Sequence, residues 1–535
     1  MPSETLRNRR PLSINTMSAA ATTAEAAEEP EELEEPVSPA GRLFHRPEFN
    51  CYIIAVIGLG RRIDDLDTIK AGLAATLARH PRFSSVPVFD ESAGKKPRWV
   101  RVDVDVDRHV IVPNLPPLPS AAAAAAGELV VEDYVSALSA AAAMDATRPL
   151  WELHILNLPT PSAAASAVLR AHHSLGDGAS LTSLLLACTR RAGDPSALPS
   201  LPSAAPRPRP HHGRGRGPLG LLLWLWSLLA MAWHTLVDAA LFAATAAFLA
   251  DSPTPLKAPP LPPGDPLGVG RRRKRFVHRT ASLDDVKRVK NAMGCTVNDV
   301  LVGVTSAGLS RYLSRKFGEY KVFDFALLLL LLRVIATLLC NCSVDETDDV
   351  KKREKLLANL RVRSTLLVND LAEMMKGGKD GPKWGNWIGY VVLPIPIALY
   401  SDPLDYIRKG KEIANRKKNS WEAFFTYWCA DLIVKLFGLK AAATLCHRVL
   451  SNTTLSFSNI VGPVEEIEFY GYPIVYIAPS VYGHPHALTV HYQSYVNTVE
   501  MVIAVDEITI PDPHQLLDDL AESLELIKDS TETKS

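Results

Sequence analysis

The chain is predicted to be a mixed α/β (α+β) protein of two lobes. Strand-like runs interleave with helical periodicities over residues 37–199, and the same alternation returns over 271–528. Between them the composition shifts twice, to a Pro-, Arg- and Gly-rich linker at 200–218 and then to an almost wholly apolar stretch at 219–250. At 535 residues the chain can bury a large core.

The elements are expected in this order. Residues 1–36 form an Ala- and Glu-rich tail with few large apolar groups, and disorder is predicted there. No apolar run follows the arginines of the first ten residues, so no secretory signal is read. Strands are predicted at 51–59 and, from the alternation of Val100, Val102, Val104 and Val106, at 98–112, with a helix over 66–79 between them. Residues 121–126, all alanine, read as a low-complexity loop, and strands follow at 150–158 and 167–172.

In the second lobe Ser282 with Asp285 resembles a capping box for a helix through Ala292, closed by Gly294. Thr296 with Asp299 repeats the pattern for a helix carrying Val300, Leu301, Val304 and Leu309. Strands at 454–460, 473–477, 487–491 and 500–505 and a helix at 514–528 complete the chain.

Composition excludes several function classes. The 58 basic and 58 acidic residues cancel, so no global field draws the protein to nucleic acid. The seven cysteines show no disulfide or metal spacing, and reduced, cytosol-facing thiols are the simpler reading. His484, His486 and His491 have no Cys or acidic residue at ligand spacing, so no metal is expected. Gly58-Leu59-Gly60 is too short for a dinucleotide loop, and no phosphate-binding Walker sequence is present.

The apolar stretch is the membrane candidate. As one helix, residues 219–250 would run about 48 Å, against a hydrocarbon core of ~30 Å. A helical hairpin turning near His234, or helices lying in one leaflet, would keep both lobes on one side; a buried pair of soluble helices is the competing reading. A single span at 219–237 would be long enough, with Arg207, Arg209, Arg214 and Arg216 holding its leading end in the cytosol, but it would separate the lobes. Asp238, costing roughly 2.5 to 3.5 kcal/mol at a bilayer centre, is expected in a shallow or turn position.

The sharpest chemical signal is His172-His173-Ser174-Leu175-Gly176-Asp177-Gly178. Period-two extension of the preceding strand puts Leu169, Ala171 and His173 on one face and Arg170 and His172 on the other. Gly176 and Gly178 permit a sharp turn into a helix carrying Leu181, Leu184, Leu185 and Cys188. A histidine emerging from an apolar wall suits general acid–base work, because its unperturbed pKa of about 6.5 makes both forms accessible near neutrality. Asp177, just before the helix, reads as a cap with an orienting role, and His172 as a supporting residue. No Gly-x-Ser-x-Gly elbow is present, which favours direct transfer over a covalent enzyme intermediate.

His172-His173-x-x-x-Asp177-Gly178 resembles the active-site motif of the plant bifunctional wax ester synthase/diacylglycerol acyltransferase family. The similarity extends to Ser38-Pro39-Ala40-Gly41-Arg42-Leu43-Phe44, Arg148-Pro149-Leu150-Trp151-Glu152-Leu153, Thr296-Val297-Asn298-Asp299-Val300-Leu301, Asn386-Trp387-Ile388-Gly389-Tyr390 and Ser458-Asn459-Ile460-Val461-Gly462-Pro463. The resemblance implies two chloramphenicol-acetyltransferase-like lobes with an active-site tunnel between them. It implies acyl transfer from acyl-CoA to a long-chain fatty alcohol or to diacylglycerol, with His173 as base and Asn298 as a candidate for positioning substrate or stabilising the oxyanion. Coenzyme A is then part of a substrate, and no cofactor is expected. Apolar acceptors imply contact with membrane lipid and an endoplasmic reticulum location, with the plasma membrane as the alternative and the lobes facing the cytosol.

The chain departs from the family pattern over 320–370. The run from Ala326 to Leu332, with its continuation to Lys355, does not resemble the strand expected there, and Asn369 passes directly into Asp370 without an Arg-Pro-containing loop. Such a pattern reads as a splice-variant or gene-model insertion with a neighbouring loss. Two further readings therefore stand beside the enzyme: a lipid- or membrane-binding homologue with impaired catalysis, and a soluble acyltransferase acting on small alcohols.

Overall fold

The computed structural model describes residues 35–89, 96–118, 123–202, 218–259, 272–336, 356–368, 384–386 and 389–533. The first part of the chain forms β1 (Glu35–Pro36), α1 (Pro39–Phe44), β2 (Tyr52–Leu59), α2 (Leu66–Ala75), β3 (Ser85–Val88), β4 (Arg98–Arg101), β5 (Val110–Ile111), α3 (Ala123–Ala140), β6 (Trp151–Leu156), β7 (Ala165–His172), α4 (Gly178–Cys188) and β8 (Thr189–Arg191). α5 (Pro218–Ala247) follows. The second part forms β9 (Lys274–Ser282), α6 (Leu283–Ala292), α7 (Val297–Ala336), β10 (Arg363–Val368), β11 (Gly389–Pro394), α8 (Leu404–Lys418), α9 (Glu422–Asn452), β12 (Leu455–Ile460), β13 (Ile467–Phe469), β14 (Tyr472–Tyr482), β15 (Leu488–Tyr495), β16 (Thr498–Asp506) and α10 (Pro513–Glu532).

Two sheets make the two lobes. The second is six-stranded in the order β11-β10-β12-β15-β16-β9, with α6, α7, α8 and α10 packed on it around Leu301, Val304, Tyr492, Met501 and Leu520. The first is seven-stranded, in the order β5-β6-β7-β2-β14-β13-β8. Its order shows that the lobes do not divide as the boundaries 37–199 and 271–528 would have it. β13 and β14, from the second half of the chain, cross over and complete the first sheet, β14 pairing antiparallel with β2 from Ile474↔Leu59 to Tyr482↔Tyr52. Apolar residues on both faces of β2 and β7 make this loan necessary, because a strand buried on both sides must find edge partners wherever the chain supplies them.

Local chemistry accounts for the helix starts. Ser282 accepts from Asp285 N at 3.2 Å and heads α6, while Gly294, at φ +54°, follows its end. Thr296 and Asp299 exchange both bonds of a capping box, Thr296 N to Asp299 Oδ2 at 2.8 Å and Asp299 N to Thr296 Oγ1 at 3.3 Å.

Several expectations are corrected. Residues 123–126 open α3 rather than lying in a loop, because alanine is the best helix former and α3 buries Val131 and Val135 against the first sheet. The strand foreseen at 98–112 is two short strands separated by a turn over Val106–Arg108, where Asp105 accepts from Asp107 N and interrupts the ladder. The hairpin near His234 does not form: α5 is one continuous helix, since its 30 residues hold no Gly or Pro beyond Gly220 to break it. Asp238 is not at a shallow turn but buried, held by Arg416 Nη2 at 2.8 Å and Lys417 Nζ at 2.9 Å, so its charge is paired within protein. In the 320–370 region α7 continues to Ala336, and β10 nevertheless pairs in register with β11 and β12, leaving the second sheet unbroken. Of the expected tail, Glu35 and Pro36 form β1 and pair with β4, whereas residues 1–34, the core of the linker (203–217), residues 337–355 and the absent loop after Asn369 lie outside the described residues.

Candidate active site

β7 ends at His172, and His173–Leu175 make one tight helical turn before Gly176 and the N-terminus of α4. Asp177 caps α4, accepting from Ser180 N at 2.9 Å, and is buried. A Cβ on Gly176 would stand 2.9 Å from Ser180 Cβ and 3.4 Å from the Trp384 ring, so a side chain there would force the turn to shift.

The two histidines go to opposite sides, as strand alternation requires. His172 braces the loop in front of it: its Nε2 lies 2.9 Å from Asn50 Oδ1 and 3.2 Å from Phe44 O, and its Nδ1 lies 2.7 Å from Ser174 Oγ. His45 stacks on its ring at 4.3 Å. His173 is 6% exposed, with the Phe44 ring at 4.4 Å and its backbone N–H donating to Cys51 O at 2.9 Å.

The second half of the chain closes on this turn through Trp384, Gly385 and Asn386. Trp384 Nε1 donates to Leu175 O at 2.8 Å. Asn386 Nδ2 donates to His173 O at 2.9 Å and to Ser174 O at 3.3 Å, which turns Asn386 Oδ1 toward His173 Nδ1 at 3.2 Å. The amide orientation is thus set by its own donors, and an oxygen facing Nδ1 requires Nδ1 to carry the proton. Nε2 is then the basic nitrogen, and among the described residues it has no hydrogen-bond partner. Desolvation lowers the pKa of His173 to about 4, with hydrogen bonds to its own backbone and to Asn386 acting the other way. The ring is therefore neutral at physiological pH, with its lone pair on Nε2.

Among the described residues no carboxylate bonds His173; an uncharged amide stands where a triad would place an aspartate. Asn386 and Phe44 were not predicted as site residues, although both lie in segments that carry the family resemblance. Their role depends on contacts across 213 and 129 positions of sequence (386 − 173 and 173 − 44), beyond the reach of spacing rules. The Arg148–Leu153 segment serves the core instead: Trp151 is fully buried, and Glu152 holds the buried Arg170 at 3.2 Å.

Asn298 sits exposed in the first turn of α7, where its Oδ1 accepts from Asn459 Nδ2 at 2.5 Å. Two of the quoted segments therefore meet there, but among the described residues no contact joins Asn298 to His173. His484 and His486 are buried in the turn between β14 and β15, and His491 is buried on β15; His484 Nε2 lies 3.2 Å from Thr489 Oγ1 and His486 Nε2 2.8 Å from Thr453 Oγ1. Beside the site, a small apolar pocket is lined by Leu43, Phe242, Tyr390, Ile433, Ala442 and Cys446. Leu43 faces this cavity, and the next residue, Phe44, covers His173.

Residues 41–301 match the wax ester synthase/diacylglycerol acyltransferase catalytic domain, and residues 384–528 match the C-terminal domain of the same proteins. The chain belongs to the wax ester synthase/diacylglycerol acyltransferase family. It is 45% identical to wax ester synthase/diacylglycerol acyltransferase 6 of Arabidopsis thaliana over 97% of this chain and 98% of that one. It is 46% identical to the Arabidopsis protein numbered 5 over 94% of each. Among solved structures, the wax ester synthase/diacylglycerol acyltransferase from Marinobacter aquaeolei VT8 covers 93% of this chain and 100% of its own with a TM-score of 0.54 at 16% identity, a likeness of fold. The family member described here is an acyl-CoA-dependent acyltransferase with the two-lobed chloramphenicol-acetyltransferase-like architecture.

Proposed function

We propose that this acyltransferase makes wax esters from long-chain fatty alcohols, triacylglycerol from diacylglycerol, or both, with His173 as the general base. As the acceptor hydroxyl oxygen attacks the thioester carbonyl of acyl-CoA, Nε2 of His173 takes its proton. As the tetrahedral intermediate collapses, the same proton passes to the departing coenzyme A sulfur. Such proton transfer is typically worth roughly 10²- to 10⁴-fold in rate. Coenzyme A arrives with the donor, so the reaction calls for no bound cofactor and no metal.

One observation carries this reading: Asn386 Oδ1, its amide turned by the bond from Nδ2 to His173 O, faces His173 Nδ1 at 3.2 Å, which leaves Nε2 as the acceptor. The apolar lining of the pocket that Leu43 faces favours an alkyl chain over a polar group. The exposed Trp- and Leu-rich face of α5 favours work at a membrane, and the acceptors named above favour the cytosolic face of the endoplasmic reticulum.

The test incubates membranes holding the wild type or His173→Ala with labelled acyl-CoA and competing fatty alcohol and diacylglycerol. The variant is expected to lose ester formation while keeping the wild-type expression level and melting temperature. Undiminished ester formation in the variant would remove His173 from the mechanism, and the product ratio in the wild type assigns the acceptor.

A further inference from the structure

Both ends of α5 are tied to the same body. Upstream, Ser200 bonds Glu465 through its N–H at 3.0 Å and its hydroxyl at 2.6 Å. Downstream, Asp251 accepts from Arg363 Nε at 2.5 Å and from Thr454 Oγ1 at 2.6 Å. The two lobes are one unit, because β14 completes the first sheet and Asn386 closes on His173. A single helix that crossed a bilayer would leave its ends on opposite faces. Residues 203–217 would then have to return through hydrocarbon carrying Arg207, Arg209, Arg214 and Arg216, at a cost that a Pro- and Arg-rich stretch has no means to offset.

Length gives the same answer independently. The C-terminal half of α5 is docked on the second lobe: Thr235 Oγ1 accepts from Trp421 N, Asp238 is clamped by Arg416 and Lys417, and Thr245 Oγ1 accepts from Arg363. That leaves residues 219–234, about 24 Å of helix against a hydrocarbon core of ~30 Å. Within this free half Leu222, Trp226, Leu229 and Trp233 are 61, 71, 64 and 64% exposed. α9, which packs along α5, exposes Trp428, Leu432 and Leu436 one turn apart. At its elbow, where Gly438 has φ +80°, the exposed Phe437 is bracketed by the exposed Lys435 and Lys440, cations beside apolar surface as the edge of a lipid headgroup layer requires.

We infer that α5 is a one-leaflet anchor: its free half lies within the cytosol-facing leaflet beside the exposed ridge of α9, and the chain does not cross the membrane. This rests on the membrane association proposed above. The test uses the full chain in sealed microsomes, with one protease-cleavable tag inserted between Gly213 and Arg214 and another at the C-terminus. Both tags are expected to be cut from outside without detergent, and protection of either overturns the inference. In parallel, flotation with phosphatidylcholine vesicles, with and without phosphatidylserine, compares the wild type with a Trp226→Glu, Leu229→Glu double variant. The variant is expected to float roughly tenfold less or worse while still acylating a short, water-soluble alcohol. A wild type that does not float refutes membrane association itself. A wild type and a variant that float equally refute this helix as the anchor.

Discussion

At His173 the neighbouring amide decides the chemistry. An aspartate in the place of Asn386 would add a charge that stabilises the protonated ring; the neutral amide fixes the tautomer, and its raising effect on the pKa is outweighed by burial. Asn386→Ala is therefore expected to lower kcat on the order of 10²-fold through misorientation of the ring, with KM little changed and the fold intact. Steady-state kinetics beside a melting curve separate this from simple destabilisation. The pH profile tests the same geometry. Activity requires the neutral ring, and burial lowers its pKa to about 4, so the rate should stay flat from neutrality to well below 6.5 and fall only near 4. An acid limb at 6.5 would mean a solvated imidazole.

At the scale of elements, Asp177 makes the bond of a helix cap, accepting from Ser180 N at 2.9 Å. Asp177→Ala should cost about 1 kcal/mol of stability, while Asp177→Asn, which can still accept that bond, should cost a few tenths. Chemical denaturation of the two variants checks the difference. The helix starts at Ser282 and Thr296 were legible in the sequence because a cap needs partners only three residues away. The alanine run was misread because low complexity says nothing about helix propensity. The hairpin in α5 was expected from a length argument that assumed the whole apolar run meets lipid; in the structure its second half meets protein, through Asp238 and Thr245.

For the whole molecule, the junction of the lobes concentrates buried histidines. His172, His173, His484, His486 and His491 all have pKa values lowered by desolvation, His486 to about 3 and His491 to about 4. Unfolded, these rings titrate near 6.5. Between that value and about 4 the unfolded chain binds more protons, so stability is full above 6.5 and falls as the pH drops below it. Melting temperature should therefore decline steadily from pH 7 to pH 5, and a flat profile would contradict their burial. The lent strand is a second point of dependence. A Cβ on Gly58 of β2 would sit 2.2 Å from the Tyr476 ring of β14, so Gly58→Ala should destabilise by roughly 1 to 3 kcal/mol by overpacking. Paired unfolding probes in the two lobes should report that loss in both together.

What the residues alone determined about this protein is what depends on near neighbours and on pattern: the strand and helix alternation, the capping residues, the placing of His173 and His172 on opposite faces at the end of an apolar strand, and the family resemblance carried by short segments. Tertiary structure alone decided that β14 belongs to the first sheet, that Asn386 reaches across to orient His173, and that half of α5 is docked rather than free. The division has one physical reason. Caps and strand faces follow from the geometry of a few consecutive residues, whereas a sheet partner, a tautomer and a buried ion pair depend on groups that only folding brings within bonding distance.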